Sequence, residues 1–128
     1  MVVIGKTDSG KSTLVRFLHK KLGGCIVDSD VGQSDIGPPT TIGLSKDGET
    51  MSEGYFVGST SPAGHFSKMI MGTKRMIEKG FPSIFVDTTG MVYGQRGRAL
   101  KTQMVKSLNP DHLIILGNGK LDYFDVND

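Results

Sequence analysis

The chain has 128 residues and a mass of 13.8 kDa, with 37% hydrophobic and 22% charged residues, a composition that excludes a disordered chain and suits one domain able to bury its own core. Fifteen Lys and Arg against thirteen Asp and Glu leave a net charge of +2, too little to argue nucleic-acid binding from charge alone. A single cysteine excludes a disulfide framework and a Cys-rich zinc site, and no apolar run reaches the roughly 18 residues of a membrane span, so a protein of a reducing compartment is expected, cytoplasmic or, in a eukaryote, nuclear.

Met1-Val2-Val3-Ile4 is a short apolar run that meets Gly5 at once and reads as a buried strand. From Lys11 to Leu22 the apolar residues Leu14, Val15, Leu18 and Leu22 fall on one helical face, and Gly23-Gly24 ends the segment. His19 is expected on the polar, exposed face of that helix. Cys25-Ile26-Val27 predicts a second strand ending at Asp28, with Cys25 a small buried side chain. Residues 29–54 are rich in Gly, Ser, Pro and Thr, and a structureless connection of that length is uncommon in a compact domain, so the stretch is expected to be functional or partly structured. Within it, Lys46-Asp47-Gly48 predicts the turn of a hairpin between Thr41–Ser45 and Thr50–Phe56, because Asp-Gly supplies the positive φ that tight turns demand.

Ser61-Pro62 predicts an N-cap and first turn, after which Phe66, Met69, Ile70, Thr73 and Ile77 keep helical spacing until Gly80. Ser83-Ile84-Phe85-Val86 is a buried strand ending at Asp87, followed by the polar turn Thr88-Thr89-Gly90. A helix from about Arg98 to Leu108 carries Leu100, Met104, Val105 and Leu108 on one face, and Asn109-Pro110 stops it. His112 to Leu116 is the last strand. This alternation predicts an α/β domain with a mainly parallel sheet of about five strands.

Gly5-Lys6-Thr7-Asp8-Ser9-Gly10-Lys11-Ser12 fits G-x-x-x-x-G-K-[ST] at every fixed position, with a strand entering it and a helix leaving it. Glycines at both ends let the backbone wrap closely, so that successive N–H groups and the helix N-terminus face a polyphosphate. Gly5, Thr7, Asp8, Ser9, Gly10, Lys11, Ser12 and Thr13 are therefore the nucleotide-binding candidates. Lys11 is expected to reach the β- and γ-phosphates, Ser12 to place its hydroxyl on Mg²⁺, and Thr13 to support the loop or touch the α-phosphate. The fold class that follows is a P-loop NTPase three-layer sandwich.

Asp28 and Asp30, after the second strand, and Asp87, at the end of Ile84–Val86, lie at the sheet edge that carries the phosphate loop, where Asp28 and Asp87 join Ser12 as candidates around a metal. The plainer reading is that such aspartates cap the turns that follow them. Asp87-Thr88-Thr89-Gly90 also spells the D-x-x-G of GTPases, but Asn118-Gly119-Lys120-Leu121-Asp122 has one residue too many for the N-K-x-D that reads guanine. A GTPase-type switch is thus the second reading.

Asp28-Ser29-Asp30-Val31-Gly32-Gln33 resembles the D-x-D-x-x-Q segment of the polynucleotide 5′-hydroxyl kinases, the family of the RNA kinase subunit of the pre-mRNA cleavage factor and its ribosomal-RNA-processing relatives. The phosphate loop is similar to theirs, Gly58-Ser59-Thr60-Ser61-Pro62 resembles their G-x-x-S-P segment, and Thr88-Thr89-Gly90-Met91 resembles the T-x-G-W clasp. The resemblance implies ATP-dependent transfer of the γ-phosphoryl group to the 5′-hydroxyl of RNA or DNA, with ATP and Mg²⁺ as cofactors. It implies catalytic roles for Lys11, for Asp30 as the group that activates the hydroxyl, and for Gln33 as the group that holds it.

By the same resemblance, Thr88, Gly90 and Met91 hold the terminal nucleotide, with Met91 where the family has tryptophan and Tyr93 nearby. Arg96 and Arg98, in a Gly-flanked loop, are candidates for a substrate phosphate. The family's R-x-x-x-R lid and flanking domains have no counterpart in residues 1–128, which read as a single kinase core. The implied partners are a nucleotide, a single-stranded 5′ end and RNA-processing proteins, with no membrane. A non-catalytic ATP-binding subunit is the third reading.

Overall fold

Apolar side chains alternate between the two faces of each central strand, and that alternation builds two cores. The computed structural model describes residues 1–117. Its elements follow in the order β1 (Val2–Gly5), α1 (Lys11–Leu22), β2 (Cys25–Asp28), β3 (Thr41–Ser45), β4 (Met51–Phe56), α2 (Phe66–Lys79), β5 (Ile84–Asp87), α3 (Gly94–Leu108) and β6 (Leu113–Leu116). One six-stranded sheet runs β4-β3-β2-β5-β1-β6. The four strands β2, β5, β1 and β6 are parallel, and the β3–β4 hairpin adds an antiparallel edge. The sheet exceeds the expected five or so strands because both arms of the hairpin join it.

Val2, Ile4, Cys25, Val27 and Val86 pack against Met69 and Met76 of α2 and Leu100 and Met104 of α3. Val3, Ile26 and Phe85 point the other way, toward Val15 of α1 with Leu14 and Leu18 beside it. Helices thus cover both faces, which is why the central strands read as continuous apolar runs rather than alternating ones. This is the three-layer architecture of the P-loop NTPase type. Because β1, β2 and β5 are parallel, Gly5, Asp28 and Asp87 all finish at one edge, with Asp28 and Asp87 in direct register. Among the described residues no helix is long and apolar enough to cross a membrane.

Several boundaries differ from expectation for local reasons. α2 starts at Phe66, not at Ser61-Pro62, because the Ser59 and Ser61 hydroxyls accept the N–H groups of Ser61 and Ala63 at 3.1 and 3.2 Å and close turns instead. α3 begins at Gly94, so Arg96 and Arg98 stand on its opening turns rather than in a loop. Leu22 is 65% exposed and does not share the buried face of α1. His19 is half-buried rather than exposed, with Nε2 3.1 Å from both the Gly24 and Lys46 carbonyl oxygens, and so ties the end of α1 to the hairpin. Cys25 is buried as expected.

The hairpin turn forms where Asp47-Gly48 predicts it. Asp47 Oδ1 accepts the Thr50 and Glu49 N–H groups at 2.7 and 2.8 Å and the Ser45 hydroxyl at 3.0 Å. These donors, the Thr50 N–H foremost, hold the Asp47 carboxyl well below its ordinary value of 3.8. A depressed folded-state pKa contributes stability that is present above that value and lost as pH falls through the lower, folded value. Asp47→Asn is therefore expected to flatten the acid limb of unfolding below about pH 4, read by circular dichroism against pH.

Met104 lies in the core at 1% exposure, so Met104→Ala is expected to cost about 2–5 kcal/mol in urea unfolding, whereas Leu22→Ala should stay within about 0.5 kcal/mol.

Candidate active site

The first turn of α1 is built to receive an anion. Gly10 precedes it in the left-handed region (φ 95°), no side chain caps it, and its first turn holds no acidic residue. Among the described residues its leading N–H groups therefore find no side-chain acceptors at the mouth of the loop. Gly5 is required where the loop leaves β1: a Cβ there would strike the Ser9 hydroxyl and lie 2.9 Å from the Leu116 carbonyl oxygen. Lys11 is 6% exposed, and its Nζ donates to the Lys6 carbonyl at 3.0 Å, folded back over the loop it serves.

Ser12 joins this loop to β5. Its hydroxyl donates to Asp87 Oδ2 at 2.7 Å, while Asp87 Oδ1 is buried with no hydrogen-bond partner among the described residues. Burial pushes the Asp87 carboxyl up from its ordinary range, opposed by the Ser12 bond and by Lys11. A hydroxyl beside an unpartnered carboxylate oxygen fits Mg²⁺, which takes one or two carboxylates and keeps phosphate and water for its other positions. Among the described residues no three or more His, Cys, Asp or Glu gather into a self-sufficient cage, in keeping with a cation that phosphate oxygens help to hold.

Asp28 is turned to a different task. Its Oδ1 accepts the Asp30 N–H at 3.0 Å, and its Oδ2 accepts the Asp35 and Ile36 N–H groups at 2.7 and 3.0 Å. The loop from Ser29 to Ile36 is thereby wound around one carboxylate. Burial nonetheless raises the Asp28 pKa to about 7; the three N–H donors lower it, and Asp87 raises it further. The consequence of the winding is the placement of Asp30, whose Oδ1 accepts the Gln33 N–H at 3.2 Å and whose carbonyl accepts the Ser34 hydroxyl at 2.8 Å. Gly32 passes so close to the Thr60 carbonyl that a Cβ would lie 2.8 Å from it, which brings residues 58–62 alongside.

One open cavity of about 350 Å³ is lined by Asp8, Gly10, Lys11, Ser12 and Thr13 from the phosphate loop and by Asp30, Gln33 and Asp35 from the wound loop. The residues proposed for the triphosphate and those proposed for the hydroxyl therefore share one space.

The residues expected at a nucleic-acid end are not gathered there. Thr88 is fully buried and its hydroxyl donates to the Val3 carbonyl at 2.8 Å, so it braces β5 against β1 and offers no surface to a substrate. Met91 is half-buried against the α2–α3 core. Arg96 and Arg98 are exposed on α3 and do not line the cavity. Gly90 does reach the phosphate loop, lying so close to Thr7 that a Cβ would fall on its hydroxyl. The segment Asn118–Asp122 lies outside the described residues.

Sequence reasoning overlooked Lys101. Its side chain is 0% exposed, and its Nζ donates to the Thr89 carbonyl at 2.8 Å and the Thr89 hydroxyl at 3.1 Å. Burial pulls its pKa down to about 7, with Lys11 adding to the fall and Asp30 and Asp87 opposing it. The signal was present: Lys101 sits one turn after Gly97 and one before Met104, in the buried register of α3.

The family model described as the P-loop of the mRNA cleavage and polyadenylation factor CLP1 matches residues 5–128. The chain belongs to this family. The chain is 40% identical over 139 residues to the polyribonucleotide 5′-hydroxyl-kinase of Thermococcus kodakarensis, covering 94% of this chain and 39% of that protein. The proteins of the same name from Pyrococcus furiosus and Methanocaldococcus jannaschii are each 39% identical over 132 residues, covering 91% of this chain and 37% and 36% of theirs. The chain thus spans less than two fifths of the length of these relatives.

The division of labour between the two aspartates is open to measurement. Asp28→Ala leaves three backbone N–H groups without their acceptor and is expected to lower stability by about 2–3 kcal/mol more than Asp30→Ala, in denaturant unfolding without nucleotide. Equal losses would mean that Asp28 is not the organiser of the loop.

Proposed function

We propose that this chain is the phosphoryl-transfer core of an ATP-dependent polynucleotide 5′-hydroxyl kinase acting on RNA. The observation that carries this reading is the single cavity in which Lys11 and Ser12 of the phosphate loop meet Asp30 and Gln33. Family membership and the names of the archaeal relatives support it. By the family's description, an RNA-processing assembly is the expected setting.

The loop 5–12 and the open N-terminus of α1 take the triphosphate through main-chain N–H groups, and Lys11 leaves the Lys6 carbonyl for the β- and γ-phosphates. Ser12 and Asp87 would hold Mg²⁺, which when bound neutralises charge on the phosphate oxygens. The Asp30 carboxylate, fixed by the loop that Asp28 winds, accepts the proton of the 5′-hydroxyl. As that proton leaves, the 5′-oxygen bonds to the γ-phosphorus, the bond from the γ-phosphorus to the bridging oxygen breaks, and ADP departs with the electron pair. Gln33 holds the attacking oxygen in place from the same cavity. Little else is required, because phosphoryl transfer rests on alignment and charge neutralisation.

The test is transfer of label from γ-labelled ATP, with Mg²⁺, to an RNA oligomer bearing a 5′-hydroxyl. Labelling is expected there, and none on the 5′-phosphorylated oligomer; Lys11→Ala is expected to abolish it. Asp30→Asn is expected to lower kcat by about 10²–10⁴ while ATP affinity changes little. Folded protein that binds ATP and never labels the hydroxyl end would leave a nucleotide-binding subunit in place of an enzyme. A DNA oligomer in parallel decides the sugar.

A further inference from the structure

Lys101 has no part in the scheme above, yet among the described residues it is the largest fully buried side chain. Lysine is almost never fully buried unless it is paired, and a methionine or leucine would fill the same space without taking an ammonium out of water. Both of its bonds go to a single neutral residue, the carbonyl and the hydroxyl of Thr89. The same hydroxyl accepts the Met91 N–H at 3.3 Å, so Thr89 is gripped on both sides of its own peptide.

The grip has a directional consequence. In a trans peptide the C=O and N–H point opposite ways, so a Thr89 carbonyl drawn toward Lys101 turns the Gly90 N–H away from it. Gly90 lies against the phosphate loop, where a Cβ would fall on the Thr7 hydroxyl and within 2.7 Å of the Thr7 nitrogen. Among the described residues no group accepts a hydrogen bond from the Gly90 N–H. An N–H without an acceptor beside a phosphate loop, its peptide held from the carbonyl side by a buried lysine, is suited to a phosphate oxygen.

We propose that Lys101 is a positioning residue for phosphoryl transfer, which by holding Thr89 presents the Gly90 N–H to the terminal phosphate of a nucleotide seated on the loop 5–12. The proposal rests on the kinase reading for the identity of that anion. Its readout is a ratio of nucleotide affinities, which is measured whether or not RNA is phosphorylated, so failure of the kinase reading shows separately as absent label.

The experiment compares calorimetric affinities for Mg²⁺-ADP and a non-hydrolysable ATP analogue in the unaltered chain and in Lys101→Met, which keeps the volume and removes the donors. The unaltered chain is expected to prefer the analogue. Lys101→Met is expected to lose about tenfold or more of that preference with ADP affinity nearly unchanged, and to lower kcat with the RNA KM held. Retention of the preference overturns the proposal, as does equal weakening toward both nucleotides, which marks a packing role alone. Should Lys101→Met fail to fold, the Gly90 amide of the unaltered chain decides by ¹⁵N NMR. A shift with the analogue and not with ADP supports the proposal, and the same response to both overturns it.

Discussion

The Ser12 hydroxyl and the Asp87 carboxylate meet at 2.7 Å, and the rest of the site depends on that bond. It links the first turn of α1, which presents main-chain N–H groups, to the end of β5, which presents negative charge. A short donor and a carboxylate can meet there only because β1 and β5 are parallel neighbours, so that the loop leaving one strand passes over the end of the other. Among the described residues the second oxygen of Asp87 has nothing to accept from, in a site where burial already disfavours the charged form. Such an atom costs stability, and a cation shared with phosphate would relieve it.

Asp28 shows how a second buried carboxylate is accommodated. It faces Asp87 across the β2–β5 ladder, and burial, with Asp87 adding to it, raises the cost of charging Asp28. Three backbone N–H groups offset that cost and, in doing so, wind residues 29–36 into a fixed loop. Asp30 is carried on that loop with fewer bonds of its own and with access to the cavity. The two aspartates of the D-x-D spacing thus take opposite environments, one dry and one wet, and the dry one fixes where the wet one stands.

The half of the site that would face a triphosphate is more completely assembled than the half that would face a nucleic acid. Thr88 is bonded inward to β1, Met91 packs on the core, and Arg96 and Arg98 stand on the opening of α3. Base–aromatic stacking contributes about 1–3 kcal/mol per base, and a methionine without a flat ring does not supply it. This chain spans less than two fifths of the length of its archaeal relatives.

Much of this molecule was legible along the chain. Gly5 to Ser12 announces the phosphate loop because its chemistry needs glycines at set places in consecutive residues, and the Asp47-Gly48 turn is local for the same reason. The strand ends at Asp28 and Asp87 follow from short apolar runs that stop at a charge. What the spacing did not show was where those charges point. Helix starts were misplaced at Ser61 and Arg98, where hydroxyls closing turns and a glycine opening a helix compete on nearly equal terms. His19, Thr88 and Lys101 were misread or passed over, since each is defined by a partner far along the chain or on another element. Spacing can reveal a site made by neighbouring residues, whereas a carboxylate turned inward to wind a loop, or an ammonium buried behind a peptide, depends on which elements the sheet order sets side by side.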